Sequence, residues 1–214
     1  MTLSFLLSAA AAGLLCLLRF EITPEALFTF LWLCFLIKIA LKDLNTMTIP
    51  DSYNLCLAVL AVVEIVWTLI YLNLYGAAEP SDPPVRFGCV NFLMGEVPSG
   101  QSFLMGEVLA GKHPALRLLT DRLLGMLVVS FPMLLTDFII PAGFGGGDIK
   151  LMAAAGLFLG WRPVLMAAVM AFAAAGVYSV FLLLTGRAGR RDAFAFGPFL
   201  CAGLAVAELT ASKI

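Results

Sequence analysis

Long apolar runs, each close to the length of a membrane-spanning helix, recur throughout this sequence. A helix needs about 20 mostly apolar residues to cross a bilayer. The composition agrees with this pattern, because 62% of the 214 residues are hydrophobic and 13% are charged. A soluble protein must present polar groups to water, and no soluble fold of this length could cover so much apolar surface. The sequence therefore predicts an all-α, polytopic transmembrane helical bundle.

We predict about seven membrane segments, which form a single integral membrane domain over residues 1–214. They are Leu3–Phe20, Ala26–Leu41, Tyr53–Leu74, Leu118–Ile140, Leu151–Gly160, Val164–Thr185 and Gly197–Thr210. No basic residue precedes the first run, which favours an uncleaved helix over the alternative of a signal peptide. The fifth run is short and follows consecutive glycines, which predicts a broken helix at that point.

The distribution of Lys and Arg predicts the orientation, since short cytoplasmic loops are enriched in these residues. With the N-terminus inside, loops 42–52, 141–150 and 186–196 are cytoplasmic and carry most of the loop cations. The polar stretch 75–117 then becomes an extracytoplasmic loop. It contains the hexapeptide FLMGEV twice, and a local duplication explains that repeat more simply than a pair of membrane-surface patches.

Several classes of function are disfavoured. A net charge of -1 gives no reason to expect a nucleic-acid partner. The five cysteines are scattered and form no CxxC pair, so neither a metal site nor a disulfide framework is expected. The single histidine, His113, belongs to the predicted outer loop, which excludes a nucleophile–histidine pair at the cytoplasmic side. No metal and no other cofactor are predicted.

The acidic residues beside the membrane segments are the candidates for chemistry, because ionisable groups there are costly. Asp43 follows the second apolar run and should lie in the last turn of its helix, where the helix dipole and burial both disfavour ionisation. Asp51 follows Pro50 and precedes the next helix. An N-cap is one interpretation of Asp51, and participation in a site is the other.

A glycine-rich segment, Gly145-Gly-Gly147, precedes Asp148 and Lys150. Irregular backbone at membrane depth is tolerated where it is buried in protein or lines a wet cavity. Asp148 would face such a cavity or, alternatively, would only cap the next helix. If Asp148 meets Asp43, one carboxyl retains a proton and the other activates water. Lys150 is expected to favour the ionised form of Asp148.

The combination of Asp43-x6-Pro50-Asp51 with Gly145-x-Gly147-Asp148-x-Lys150 resembles the type IV prepilin peptidases, which belong to the GxGD class of membrane aspartyl proteases. The segment beginning Phe196-Gly-Pro-Phe also resembles the C-terminal signature of that family.

The resemblance implies that Asp43 and Asp148 are the catalytic pair. It implies that Pro50, Asp51, Gly145, Gly147 and Lys150 orient the acids or the substrate. The implied reaction removes the leader of a type IV prepilin or pseudopilin at the cytoplasmic face of the bacterial inner membrane. The expected partners are the substrate helix and the lipid bilayer, and a homo-oligomer is compatible with this interpretation.

The sequence also departs from the family pattern. Many bacterial members carry paired CxxC motifs that accompany N-methylation, and without them N-methyltransferase activity is not expected. Ala195 replaces the first proline of the usual C-terminal signature. Two alternative functions remain at this point: a small transporter or channel subunit built on a glycine-broken helix, and a catalytically inactive structural partner. The grouping of charges toward one face favours the peptidase over a transporter.

Overall fold

A computed structural model describes residue 13 and residues 24–75, 114–140, 144–186 and 195–211. Every regular element within these ranges is a helix, which confirms the all-α prediction. The helices are α1 (Pro24–Thr46), α2 (Asp51–Tyr75), α3 (Pro114–Ile139), α4 (Gly146–Leu159), α5 (Trp161–Leu184) and α6 (Gly197–Ala211).

These helices correspond to the second to seventh predicted segments. The first, Leu3–Phe20, lies outside the described residues except for Gly13, as do residues 76–113 with the FLMGEV repeat. Three helices, α2, α3 and α5, are long and apolar enough to cross a membrane, so the predicted number of seven is not confirmed. Five of the six helices begin two to five residues before the predicted start, and the largest differences are at α3, which begins at Pro114, and at α4, which begins at Gly146.

Helix α4 occupies the centre of the bundle and packs against α2, α3, α5 and α6. None of its residues from 151 to 159 is exposed. Phe158 stacks on Trp32 of α1, with 4.2 Å between the ring centroids and both side chains fully buried. A helix that is apolar on all sides must be surrounded by protein or by lipid, and protein surrounds this part of α4. The other helices therefore form a wall around α4.

Glycines let α3 and α4 approach until their backbones touch. A Cβ atom on Gly125 or on Gly156 would overlap the carbonyl oxygen of the other residue. Such contacts between small residues are a common way to pack helices in membranes, where the hydrophobic effect does not drive association. Helix α4 ends at Leu159 and is followed by Gly160, whose φ of 85° is accessible mainly to glycine. The chain then enters α5 at once. Asp121, on α3, lies beside this turn.

Buried polar pairs connect the outer helices to one another. The Arg122 Nη2 atom on α3 donates to Glu64 Oε1 on α2 at 3.0 Å, and Thr29 on α1 donates to Glu208 on α6 at 2.8 Å. All these side chains are buried. Isolated charges inside a membrane bundle are expensive, and pairing them offsets that cost. These acids therefore have structural partners at a distance from the predicted site.

Candidate active site

The connection between α1 and α2 is short and sharply bent. Asp43 lies in the last turn of α1, as predicted, and its carbonyl accepts a hydrogen bond from the Met47 N–H at 2.7 Å. Met47 has a positive φ of 49°. Ile49 precedes Pro50, and a residue before proline is disfavoured in the helical conformation. Helix α1 therefore cannot continue into α2, and Asp43 and Asp51 lie at the same end of the bundle.

The carboxylate of Asp43 is held by the start of α6. Its side chain is buried, and Oδ2 accepts a hydrogen bond from the Gly197 N–H at 3.0 Å. Burial raises the pKa of Asp43 above its usual value, and the Gly197 N–H partly opposes that shift. A Cβ atom at position 197 would lie 2.6 Å from Oδ2, which explains the need for glycine there. The C-terminal signature thus contributes to the site through Gly197, a residue to which the sequence alone assigned no role.

The glycine-rich segment interrupts the helical structure between α3 and α4, as predicted. Phe144 and Gly145 are not helical, and α4 begins at Gly146. Asp148 lies in the first turn of α4, where the helix dipole stabilises negative charge. Its N–H donates to the Gly145 carbonyl at 2.9 Å. The carboxylate folds back over Gly145, so a Cβ atom on that residue would lie 3.1 Å from Asp148 Oδ2.

Gly147 brings the start of α4 against the α1–α2 connection. A Cβ atom on Gly147 would lie 2.8 Å from Ile49 Cβ and 3.1 Å from the Ile49 carbonyl oxygen. The Gly147 carbonyl accepts a hydrogen bond from Asn54 Nδ2 on α2 at 3.0 Å. Any side chain at position 147 would push the two segments apart. Gly147 therefore allows Asp148 to lie at the same end of the bundle as Asp43.

Asp43 and Asp148 are electrostatically coupled. Burial, and then the negative charge of Asp43, raise the pKa of Asp148 to about 6, while the backbone of Gly145 acts in the opposite direction. Cys201 on α6 lies within electrostatic range of both acids and is buried. Two coupled carboxyls with raised pKa values share one proton over a pH range below about 6. Such a pair can supply a general base and a general acid at the same time.

The remaining predicted residues form the rim of this end. Lys150 Nζ donates to Asp51 Oδ1 at 2.8 Å, and both side chains are largely exposed. Asp51 is the first residue of α2, and its described contact is this ion pair with α4. The Pro50 carbonyl accepts the Tyr53 N–H at 3.1 Å. The influences on the pKa of Asp148 are burial, Asp43 and Gly145. The prediction that Lys150 favours ionised Asp148 is therefore not supported.

An aromatic cluster joins the two motifs that carry the site. The Phe172 ring on α5 stacks on Phe196 at 5.3 Å and meets Phe144 edge-on at 5.8 Å between centroids. Phe144 and Phe196 lie 6.1 Å apart. These two residues directly precede Gly145 and Gly197. The cluster therefore fixes the two glycine segments relative to each other, a contact that no local pattern in the sequence indicated.

A comparison of the chain with protein families gives one match in the same region. The sequence model described as "Type IV leader peptidase family" matches residues 102–180, which include Asp148 and the glycines before it. Among the described residues, no group of three or more His, Cys, Asp or Glu side chains is arranged as metal ligands.

Curated proteins give matches of the same kind. A protein named "Prepilin leader peptidase/N-methyltransferase" from Bacillus subtilis (strain 168) is 36% identical over 72 residues, which is 34% of this chain and 29% of that protein. One with the same name from Burkholderia pseudomallei (strain 1026b) is 38% identical over 61 residues, 28% of this chain and 20% of that protein. The chain therefore spans less than a third of these relatives. No solved structure matches it significantly. Together the comparisons confirm the resemblance to type IV prepilin peptidases.

Proposed function

We propose that this chain is a membrane aspartic endopeptidase of the type IV leader peptidase family, which removes the leader peptide from type IV prepilins or pseudopilins. The observation that carries the proposal is the coupling of Asp43 with Asp148. They come from separate helices, and three glycine contacts bring them to one end of the bundle. The family match and the names of the relatives favour a prepilin-type substrate.

The coupled pair can perform peptide hydrolysis without a covalent intermediate. The ionised carboxylate takes a proton from water as the water oxygen attacks the scissile carbonyl carbon. The protonated carboxyl gives its proton to the carbonyl oxygen, which forms a neutral tetrahedral diol. As the diol collapses, one hydroxyl gives its proton to the carboxylate that is now ionised, the C=O bond re-forms and the C–N bond breaks, and the amine leaves with the proton that the other acid took from water. Either acid can begin as the base, because the two titrate as a unit.

The surrounding residues act by orientation. The Gly197 N–H directs Oδ2 of Asp43, and Gly145 and Gly147 let the first turn of α4 come close to the α1–α2 connection. Pro50 ends that connection, and Asp51 with Lys150 forms a polar rim where an extended peptide would enter. An apolar substrate helix would lie beside the exposed apolar faces of the bundle, with its scissile bond at the acids.

The reaction is proposed to occur at the cytoplasmic face of the bacterial inner membrane. Residues from all three loops with cytoplasmic charge patterns, 42–52, 141–150 and 186–196, lie at the end that holds the acids. The orientation derived from Lys and Arg requires these three loops to share one side of the membrane, and that distribution of charge is what favours the cytoplasmic side. The proposal is confined to proteolysis. It treats residues 1–214 as one membrane domain, with 75–117 as an extracytoplasmic insertion.

The test is to co-express the chain with a prepilin and to follow loss of the leader by gel shift. Asp43→Asn and Asp148→Asn should each abolish processing, because an amide can neither accept the proton from water nor share one with its partner. Asp121→Asn is the matched control, since Asp121 lies at the opposite end of α4. It should process normally at equal membrane abundance. Normal processing by both site variants would refute the proposal.

A further inference from the structure

Asn54 is a buried polar residue next to the site that the proposed mechanism does not use. It lies in the first turn of α2 and is 4% exposed. Its Nδ2 atom donates to the Gly147 carbonyl at 3.0 Å, across the contact between α2 and α4. Burying a primary amide is costly unless it makes hydrogen bonds, so this contact determines the orientation of the Asn54 side chain. Asn54 thus connects α2 to the residue directly before Asp148.

The other polar link between the same helix ends is the ion pair of Asp51 with Lys150. Its side chains are 73% and 56% exposed, respectively. Exposed ion pairs contribute little and weaken with salt, because water and ions screen them. The hydrogen bond of Asn54 is shielded from water and has a defined direction. It is therefore the polar contact that constrains the start of α4 more strongly.

The covalent geometry shows why the position of Gly147 matters. Its carbonyl carbon is bonded to the nitrogen of Asp148, so rotation of that peptide moves the catalytic residue directly. Gly147 has no side chain to anchor it, and it lies in a run of three glycines, which lose much conformational entropy when ordered. Ile49 blocks movement toward the α1–α2 connection. Asn54 supplies the opposing polar attachment.

We propose that Asn54 is a positioning residue, whose side-chain amide holds the Gly147 peptide against Ile49 and thereby keeps the Asp148 carboxyl in register with Asp43. The inference rests on the proposed function and extends it, because it assigns the alignment of the dyad to a residue outside the recognised motifs. Asn54 acts through the backbone and makes no contact with the substrate.

The first test measures kcat and KM of Asn54→Ala on a prepilin in detergent or proteoliposomes. Loss of the amide should lower kcat by about tenfold or more, since displacements near 1 Å cost up to about 100-fold, while KM changes less than about twofold. Asn73→Ala is the matched control, because Asn73 is exposed near the other end of the same helix. Its kcat should equal that of the wild type.

The second test uses Asn54→Asp, which preserves the volume of the side chain. A protonated carboxyl can donate to the Gly147 carbonyl, whereas an ionised one cannot. The ratio of variant to wild-type activity should therefore fall as the pH rises. The other ionisable groups at this end are the same in both proteins, so the ratio reports on the new carboxyl. Among the described residues they are Lys38, Lys42, Asp43, Asp51, Tyr53, Asp137, Asp148, Lys150 and Cys201. A merely structural defect would lower activity by the same factor at every pH.

The outcomes separate this inference from the proposed function. Suppose that the wild type cleaves and Asp148→Asn does not. Then either of two results overturns this inference and leaves the proposed function standing. One is a kcat of Asn54→Ala within twofold of the wild type, and the other is a ratio of Asn54→Asp to wild-type activity that does not change with pH. If the wild type does not cleave, a hydrophobic carbodiimide still reports on Asp148, because it labels protonated carboxyls. Without the amide, Asp148 should lie farther from Asp43, whose negative charge helps it to retain its proton. The pH at half-maximal labelling should therefore be lower in Asn54→Ala than in the wild type, and an unchanged midpoint overturns the inference.

Discussion

Gly197→Ala is the substitution whose effect follows most directly from the geometry of the site. The new Cβ atom would lie 2.6 Å from Asp43 Oδ2 and 3.0 Å from Cγ. Ordinary contacts begin at 3.4 Å, so the carboxylate must retreat by roughly 0.8 Å. The hydrogen bond from the Gly197 N–H, now 3.0 Å long, would then exceed the range of a real hydrogen bond.

The magnitude follows from the loss of that bond and the displacement of the acid. A hydrogen bond to a charged group contributes about 1.5–3 kcal/mol, which corresponds to roughly 10- to 100-fold in kcat if the bond persists in the transition state. The N–H also favours the ionised form of Asp43, so its loss raises the pKa of that residue. The acid limb of the activity profile should therefore move to higher pH.

The assay compares kcat, KM and the pH profile of leader removal for wild type, Gly197→Ala and Gly176→Ala. Gly176 is the matched control, since it lies inside helix α5 and a Cβ atom there meets nothing within 4 Å. That variant should cleave like the wild type and be slightly more stable, because alanine favours the helix by about 1 kcal/mol. A Gly197→Ala enzyme with kcat within threefold of the wild type and an unmoved acid limb would refute the reasoning.

Two further predictions follow from the charged groups. Cleavage should decline as the pH rises above about 6, because Asp148 then loses its proton and both acids are ionised; a profile of kcat that keeps rising to pH 8 would contradict this. Glu64→Leu should destabilise the protein by about 3–5 kcal/mol, because Arg122 remains charged and buried. The double variant Glu64→Leu with Arg122→Leu should recover most of that lost stability. Thermal denaturation in detergent measures both variants, and an equally unstable double variant would exclude the ion pair as the cause.

The parts of the site that the sequence predicted correctly are those with local causes. Pro50 disfavours a helical conformation at the residue before it, and the glycine-rich segment weakens the helix there, so the positions of Asp43 and Asp148 at helix ends could be predicted from neighbouring residues. The start of α4 was predicted late because hydropathy counts Gly146 to Lys150 as polar, although they are helical. A hydropathy plot estimates affinity for lipid, so it does not detect a helical turn that contacts protein.

The contacts that the sequence could not predict depend on packing between distant segments. Asn54 resembles any polar residue in a first helical turn, and only the position of α4 makes it a partner of Gly147. Asp51 satisfies the local rule for an N-cap, yet a lysine on another helix is its partner. No local pattern indicates a partner for Glu64, since Arg122 lies on a different helix.

The length of α4 has a consequence for how water reaches the acids. Its 14 residues span about 21 Å, whereas the hydrocarbon core is about 30 Å thick. A lipid-facing helix this short would have to thin the bilayer, but none of residues 151–159 is exposed, so α4 is not matched to lipid at all. Because protein encloses this helix, we expect the hydrolytic water and an extended peptide to reach Asp148 through space lined by protein rather than through the acyl chains.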